Sequence, residues 1–381
     1  MIMEKRRDGM REDAFFSAAL LSASGISPAI ARRLIARLGS AAAAWQASGE
    51  DLAPVLSDAP RQALLALRQK KPELPEEIAA ACGAKGIAVC AMEDETYPAL
   101  LREIFQPPLV LFYRGTLAPK ASRLAMVGAR RASTYGKHVA EEIASDLARD
   151  GVTVVSGAAR GIDTASHRGA LRTGRTVAVL GCGLDIVYPP ENGRLLADIA
   201  EQGAVISEYP PGTRPLAAFF PARNRIISGL SRGTIVVEAA EKSGSLITAE
   251  LALSEGRDVF AVPGSIYSET SRGCHRLIQQ GAKLVVDAAD VLAEYEIGQA
   301  DPTAEKKRRV AVPGDLSPEE QAVYDVLAFD AGLTVDEIIY RLHGRSEVSN
   351  VAFLLLQMEL AGWVEADENR AYSRAVKEGN R

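Results

Sequence analysis

The sequence is poor in several features that mark whole classes of protein. Its 381 residues contain only four cysteines, none of them in a CxxC pair, and we interpret these as the reduced thiols of a cytosolic protein. No apolar run approaches the roughly eighteen residues of a membrane-spanning helix, and no signal-like apolar segment follows the charged start at Met1 to Arg11. These absences predict a cytoplasmic protein with no membrane association.

The chain also lacks the sequence marks of common ligand sites. Its formal net charge is −5, so any nucleic-acid site must come from a local arrangement of cations. A GxxxxGK[ST] pattern is missing, which excludes a P-loop nucleotide site. Gly181-Cys182-Gly183 begins a GxGxxG pattern, but Ile186 replaces the third glycine. The four histidines have no ligand spacing with cysteine or acid, so we predict neither a metal nor a cofactor.

From Ser122 onwards, short apolar strands alternate with helical stretches. The expected strands are Leu124 to Val127, Val152 to Val155, Thr176 to Leu180, Ala204 to Ser207, Thr234 to Val237, Asp258 to Val262 and Lys283 to Val286. The helices between them are Tyr135 to Arg149, Ile162 to Arg172, Glu191 to Glu201, Asn224 to Leu230, Ser245 to Glu255 and Gly273 to Gln280. This alternation predicts an α/β fold with a doubly wound, Rossmann-like parallel sheet, extended by strands near residues 86–92 and 107–115.

A smaller unit is expected at each end of this core. Residues 12–70 fit short helices around a Gly-containing turn, either a SAM-like or helix-hairpin-helix module or a plain packed helical domain. The last residues fit three helices and a β-hairpin, which is the order of a winged helix, but acidic residues outnumber basic ones there. That charge balance favours protein contact over duplex DNA. The predicted units are residues 1–75, 76–297, a linker at 298–316, and 317–381.

Glycine-containing polar clusters follow five consecutive strands. They are Gly128 to Arg131, Ser156 to Asp163, Gly181 to Asp185, Glu208 to Gly212, and Glu238 with Lys242 to Ser245. Because the carboxyl ends of parallel strands meet at one edge, we expect these clusters to converge. Arginine side chains and helix N-termini bind anions, so the pattern predicts a ligand that carries phosphate.

Two stretches near that edge carry most of the expected chemistry. We expect Arg223-Asn224-Arg225 to form a basic turn that enters an apolar helix, and Lys242 to Ser245 to open another helix. Ser243 and Ser245 have no neighbouring base, so we do not predict nucleophiles. Asp163 and His167 are expected to cap a helix, and Glu238 is the one acid we would nominate for catalysis.

The motifs themselves identify a family. They read GAR at 128–130, SGAARGID at 156–163, GCGLDIVYP at 181–189, SEYPPG at 207–212, FPARNRIISGLS at 220–231, VVEAAEKSGSLITAELALSEGRDVFAVPG at 236–264 and GCHRLIQQGA at 273–282. In this order and spacing the segment resembles the DNA processing protein A (DprA, or Smf) family, and it shows no departure from the family pattern.

The resemblance implies an extended Rossmann fold whose basic pocket binds single-stranded DNA. It implies a non-catalytic protein that protects incoming DNA and loads the recombinase RecA onto it during natural transformation. It also implies a homodimer formed through the late helix around Leu277 to Leu284. With the strand-end clusters, it predicts phosphate contacts from Gly128, Arg130, Ser156, Gly157, Arg160, Arg223, Asn224, Arg225, Lys242, Ser243, Gly244, Ser245 and Thr248.

Aromatic platforms for bases are scarce near the predicted pocket, where Phe219, Phe220 and Tyr209 are the candidates. We therefore expect phosphate contacts to dominate over base stacking. Two other hypotheses stay open. The first is a nucleotide-processing enzyme such as a phosphoribohydrolase, although the PGGxGT signature of that class is missing. The second is a scaffold whose pocket has lost its function.

Overall fold

The computed structural model describes residues 2–297, 316–329, 331–343, 350–367 and 370–375. Its N-terminal part is helical, as predicted. The helices are α1 (Ile2–Leu21), α2 (Pro28–Leu38), α3 (Ala41–Gln46), α4 (Gly49–Leu52), α5 (Asp58–Lys70) and α6 (Leu74–Ala84). Serine side chains cap three of these helices: Ser27 accepts from the Ile30 N–H at 3.3 Å, Ser40 from the Ala43 N–H at 3.0 Å and Ser48 from the Asp51 N–H at 3.2 Å.

The N-terminal helices share an apolar core with one end of the sheet. Leu34, Trp45 and Leu64 belong to the same buried cluster as Phe112 and Leu180 of the strands. Helix α6 runs across the predicted boundary between residues 75 and 76. The division at that position, and the likeness to a SAM module, therefore stay predictions.

The central part of the chain alternates strands and helices. The strands are β1 (Ala88–Ala91), β2 (Val110–Gly115), β3 (Arg123–Val127), β4 (Thr153–Ser156), β5 (Thr176–Leu180), β6 (Ala204–Ser207), β7 (Gly233–Val236), β8 (Asp258–Ala261) and β9 (Lys283–Leu284). The helices are α7 (Ala99–Arg102), α8 (Thr134–Arg149), α9 (Ile162–Thr173), α10 (Gly193–Gln202), α11 (Phe219–Gly229), α12 (Gly244–Ser254), α13 (Arg272–Gln279) and α14 (Ala288–Glu294). Short 3₁₀ turns at Pro190–Asn192 and Glu269–Ser271 precede α10 and α13.

Within the described residues these nine strands form one sheet in the order β1-β2-β6-β5-β4-β3-β7-β8-β9. In this spatial order, the seven neighbouring strands β6, β5, β4, β3, β7, β8 and β9 run parallel to one another. Strands β1 and β2 are antiparallel additions beside β6. Side chains alternate between the two faces of β3. Leu124 and Met126 pack with α8 and α9, while Ala125 and Val127 pack with α11 and α12. The mostly parallel sheet with helices on both faces, and its extension by two strands, are thus confirmed.

The strand order reverses direction next to β3. After β3 the chain builds β4, β5 and β6 on one side, then returns to place β7 on the other side. The connections that leave β3 and β7 therefore diverge at their carboxyl ends, which opens a crevice there. Crevices at such reversals are the usual ligand sites of open α/β sheets.

The C-terminal part contains helices followed by a hairpin. They are α15 (Pro318–Val326), α16 (Val335–Leu342), α17 (Val351–Leu360), β10 (Val364–Ala366) and β11 (Tyr372–Arg374). The element order agrees with the predicted one, and the likeness to a winged helix stays a prediction. Residues 298–315 of the predicted linker lie outside the described residues. Glu365 of the hairpin contacts the α8 residue His138, with 2.7 Å between carboxylate and imidazole.

Among the described residues, no helix combines the length and the apolar character that a bilayer span requires.

Candidate functional site

An open cavity of about 720 Å³ lies in the crevice between the carboxyl ends of β3 and β7. Its wall is built from the connections that leave these strands and from the first turns of α11 and α12. The predicted site residues in this wall are Gly128, Arg130, Arg223, Asn224, Lys242, Ser243, Gly244, Ser245 and Thr248. We call this cavity the groove.

Three cations in the groove wall are exposed. Arg130 and Arg131 follow β3, and Lys242 follows β7. Ser243 caps the N-terminus of α12, where its Oγ lies 2.7 Å from the Ser245 Oγ. The helix N-terminus adds partial positive charge to the same wall. These groups can bind several negatively charged oxygens at once.

Asp163 is the acidic side chain in this wall. It is buried, and its carboxylate accepts hydrogen bonds from backbone N–H groups instead of facing the ligand side. Its Oδ2 accepts from the backbone N–H of Gly157 at 3.1 Å and of Ala159 at 3.3 Å. Burial raises the pKa of Asp163, while the nearby Arg223 charge and these N–H groups oppose that rise. Asp163 thus holds the turn after β4. It does not cap α9, whose N-cap is Gly161 and has no side-chain cap hydrogen bond, so the predicted capping by Asp163 and His167 is wrong. His167 is buried, and its Nδ1 lies 2.7 Å from the Thr176 Oγ1.

Arg223 is buried beneath the groove rather than extended into it. Only 4% of the residue is exposed, and its Nη1 donates to the carbonyl of Gly157 at 2.6 Å and to that of Val179. A Cβ at position 157 would lie 2.2 Å from that Nη1, so the approach requires glycine. Burial lowers the pKa of Arg223, and the Asp163 charge opposes this shift. Arg223 therefore ties the ends of β4 and β5 together.

The expected basic turn at residues 223–225 is wrong, because α11 already begins at Phe219. Arg225 consequently lies within the helix and outside the groove wall. Its guanidinium forms a two-pronged ion pair with Glu208, at 2.9 and 2.6 Å. Ser156 also lies outside the wall, where its buried Oγ donates to the Met126 carbonyl at 2.7 Å. The structure therefore does not bring Arg225 and Ser156 to the ligand side.

Glu238, the acid nominated for catalysis, supports a helix instead. Its carboxylate accepts from the Ser133 N–H at 2.9 Å and from the Ser133 Oγ, at the start of α8. The Thr270 Oγ1 donates to it from 3.4 Å. Burial raises the pKa of Glu238, and the bonds from Ser133 oppose the rise. This acid is absent from the described wall of the groove, so the phosphoribohydrolase hypothesis gains no catalytic group there.

A smaller chamber opens beside the groove, at the ends of β4 and β5. It shares Arg130 and Arg223 with the groove, and the predicted site residues Gly157 and Arg160 lie in its wall. Arg160 is exposed and forms an ion pair with Glu191. That pair raises the pKa of Arg160 and lowers the pKa of Glu191. We call this cavity the side chamber.

The sequence did not single out several residues of the two walls. Arg131 stands next to Arg130, and this adjacency was an available signal. Tyr188 belongs to the GCGLDIVYP motif but was not among the predicted contacts, and it lines both cavities. Ile247 and Thr270 reach the groove from α12 and from the 3₁₀ turn after β8.

Comparisons with known proteins agree with this architecture. A family model described as "DNA recombination-mediator protein A" matches residues 88–296, more than half of the chain. The DNA processing protein DprA of Streptococcus pneumoniae is 53% identical over 205 residues, which cover 53% of this chain and 72% of that protein. The protein Smf of Synechocystis sp. is 37% identical over 384 residues, covering 92% of this chain and 96% of that protein.

Solved structures give the same result. The X-ray structure of DprA from S. pneumoniae has a TM-score of 0.66 at 40% identity, covering 74% of this chain and 97% of that chain. A structure of DNA processing protein A from Helicobacter pylori, solved to explain its single-stranded DNA binding mode, has a TM-score of 0.51 at 29% identity. It covers 55% of this chain and 95% of that chain. On these grounds the chain belongs to the DNA recombination-mediator protein A family, the family of DprA and Smf.

Proposed function

We propose that this protein binds single-stranded DNA through phosphate contacts in the groove and acts as a recombination mediator. The observation that carries the proposal is the charge arrangement of the groove wall. Arg130, Arg131 and Lys242 are exposed, while the acid of the wall, Asp163, is buried under backbone N–H groups. Local positive charge therefore exists on a chain whose net charge is −5.

The shape of the groove favours a strand over a mononucleotide. It is an open crevice of about 720 Å³, walled by cations and by the N-terminus of α12. Such a wall contacts a sugar–phosphate backbone without reading base edges, as sequence-tolerant single-strand binders do. A duplex is wider and stiffer than a single strand, and we expect it to fit the crevice poorly. The H. pylori protein, a structural neighbour, was described with a single-stranded DNA binding mode.

The finer parts of the function follow from the family. We propose that the bound strand is handed to the recombinase RecA in the cytoplasm. The four cysteines are free thiols, as suits that compartment. We also propose a homodimer through the edge strand β9 and helix α13. Leu284 and Val286 expose apolar surface at this edge, at 45% and 56%, and Leu253 of α12 is 57% exposed. The C-terminal unit, with its acidic balance, would contact protein rather than DNA.

The decisive experiment is fluorescence anisotropy of a labelled dT oligonucleotide over a salt titration, with a duplex competitor. Wild type should bind, and single strands but not duplexes should compete. Arg130→Ala should weaken binding and reduce the slope of log K against log salt by roughly 0.7, the value for one phosphate contact on a single strand. Arg149→Ala is the matched control, because Arg149 is an exposed α8 arginine at the opposite sheet edge, paired with Asp146.

Three results would count against the proposal. They are no binding by wild type at low salt, equal competition by duplex, and an unchanged salt slope for Arg130→Ala. If wild type fails to bind, release of free base from nucleoside monophosphates would favour the phosphoribohydrolase hypothesis. Nucleation of RecA on single strands, with and without the protein, then tests the recombination step separately.

A further inference from the structure

Two loops supply an uncharged part of the groove wall. We call them the β5 loop, residues 181–189, and the β6 loop, residues 208–218. Tyr188 of the first loop and Pro215 and Ala217 of the second line the groove. None of these three side chains carries a formal charge, so the loops contribute shape to the wall. How closely a strand can approach the groove therefore depends on where these loops lie.

The two loops are fastened to each other by hydrogen bonds. The Asp185 Oδ1 of the β5 loop accepts from the Gly212 N–H of the β6 loop at 2.8 Å. The Gly183 N–H donates to the Thr213 carbonyl at 2.9 Å. A Cβ at position 183 would lie 2.7 Å from the Asp185 Oδ1, so this close approach requires glycine. A displacement of Asp185 would therefore move both loops.

The other carboxylate oxygen of Asp185 faces the N-terminal unit. It forms an ion pair with the Nζ of Lys85, the residue that follows α6 directly. The carbonyl of Lys85 accepts from the Arg114 Nη2 of β2 at 3.0 Å, which holds the backbone at this point. The Asp185 side chain is only 12% exposed. Burial raises the pKa of Asp185, but the hydrogen bonds from Lys85 and the Gly212 N–H outweigh it, so the pKa lies below its usual value.

Apolar packing supports the same junction. Cys182 and Leu184 of the β5 loop are buried in one cluster with Cys82 and Ile87, which lie on either side of Lys85 in the chain. Apolar burial stabilises a contact but is non-directional. The ion pair and the hydrogen bonds have a preferred geometry, so they fix the position in which the β5 loop lies on the N-terminal unit.

We propose that the N-terminal unit positions the β5 and β6 loops through the Lys85–Asp185 pair, and thereby strengthens binding of the strand without contacting it. The inference rests on the proposed function and adds a positioning pair to it. Neither residue is in the described wall of the groove. A loosely held loop must be ordered when the strand binds, which costs conformational entropy. Loops that are already fixed in the free protein avoid that cost.

Replacement of Asp185 by asparagine separates positioning from electrostatics. The side-chain amide keeps an acceptor for the Gly212 N–H but loses the ion pair with Lys85. Because a negative charge disappears near an anionic ligand, electrostatics alone predicts tighter binding. The positioning role predicts the opposite. Asp185→Asn should weaken binding of the labelled dT oligonucleotide roughly fivefold.

Replacement of Lys85 by methionine tests the other partner. Methionine keeps an apolar stem and removes the charge. Lys85→Met should weaken binding by the same factor, and the double variant should bind no more weakly than either single variant, because both act through one pair. The slope of log K against log salt should keep its wild-type value, whereas loss of a direct phosphate contact would reduce it by roughly 0.7. Lys85→Arg keeps the charge and should bind like wild type.

Hydrogen exchange of the free protein gives a readout that needs no DNA. Peptides that span the β5 and β6 loops should exchange faster in Asp185→Asn and in Lys85→Met than in wild type. Lys71→Met is the matched control, since Lys71 is another lysine of the N-terminal unit and pairs with Glu77. This control should leave both the affinity and the exchange of the loops unchanged.

Each outcome decides. Weaker binding at an unchanged salt slope, with faster exchange in the loops, supports the inference. Tighter or unchanged binding by Asp185→Asn overturns it, and so does a reduced salt slope for Lys85→Met, which would make this lysine a strand contact. If Asp185→Asn does not fold, Lys85→Met decides alone, because its exposed side chain can be replaced with the Gly212 bond intact. Failure of wild type to bind overturns the proposed function as well, whereas wild-type affinity in both variants overturns this inference alone.

Discussion

Replacing Arg223 by methionine tests whether this arginine is a ligand contact or a structural tie. Arg223 is 4% exposed, and its guanidinium donates to two strand-end carbonyls, those of Gly157 and Val179. Hydrogen bonds to charged groups contribute about 1.5–3 kcal/mol each. Methionine has a similar stem and would retain most of the apolar burial. The loss should therefore come from the missing donors and the missing charge.

The charge matters because Asp163 is also buried. Arg223 supplies a compensating positive charge near its carboxylate, and removing one partner of a buried charge pair typically costs about 3–5 kcal/mol. These terms overlap, so we expect Arg223→Met to lower the free energy of unfolding by about 3–5 kcal/mol. That is a large fraction of the roughly 5–15 kcal/mol that stabilises a typical domain.

Urea unfolding followed by far-ultraviolet circular dichroism is the suitable assay. Circular dichroism reports on the helices and strands of the whole chain, whereas Trp45 and Trp363 both lie outside the central sheet. Arg130→Met is the control, since Arg130 is exposed and its replacement should change stability by less than about 0.5 kcal/mol. A wild-type urea midpoint for Arg223→Met, combined with lost DNA binding, would refute the structural role and restore Arg223 as a ligand contact.

Two further predictions concern ion pairs away from the groove. Arg225→Met should lower the free energy of unfolding by about 2 kcal/mol, because it breaks a two-pronged, mostly buried pair with Glu208. Its single-strand affinity should match wild type, and a drop in anisotropy would contradict this. The hydrogen bond to Glu365 raises the pKa of His138 above its usual 6.5. A raised pKa means that this contact is fully present below pH 6.5 and is lost as pH rises through the folded-state value. Hydrogen exchange of the two hairpin strands, residues 364–366 and 372–374, corrected for intrinsic rate, should therefore show more protection at pH 6 than at pH 8. His138→Gln should abolish that difference.

The sheet could be predicted from the sequence because buried parallel strands leave a strong local pattern. Apolar runs of four or five residues such as Thr176–Leu180, separated by helical stretches, allow few other folds. The position of the groove could be predicted as well, since carboxyl ends of parallel strands share one edge. The turn at Lys242 to Ser245 opens α12 as expected, because Ser243 caps the helix through its side chain.

The roles of individual arginines could not be predicted, because they depend on partners far away in sequence. Arg223 bonds to Val179, 44 positions away, and Arg225 pairs with Glu208, 17 positions away. A helix that is predicted to begin at Phe219 would already place Arg223 and Arg225 on different sides of α11. Residues two positions apart on a helix are rotated by about 200° about its axis, so they point in directions about 160° apart. Arg223 and Arg225 therefore cannot face the same ligand, whereas in the expected turn they would have done so.

The distribution of charge is compatible with the proposed binding of an anionic strand by an acidic chain. At physiological ionic strength exposed charges are screened beyond about 8 Å. The acidic surfaces elsewhere on the chain would then act weakly on a strand in the groove, while the proposed contacts Arg130, Arg131 and Lys242 would touch it directly. Because Arg223 is buried, one cation fewer is available for direct contact with a ligand. Its hydrogen bonds instead fix the ends of β4 and β5, where Ala158 and Ala159 border the side chamber. A fixed wall loses little entropy when the strand binds. The affinity of this site should therefore depend on a few well-held groups rather than on net charge.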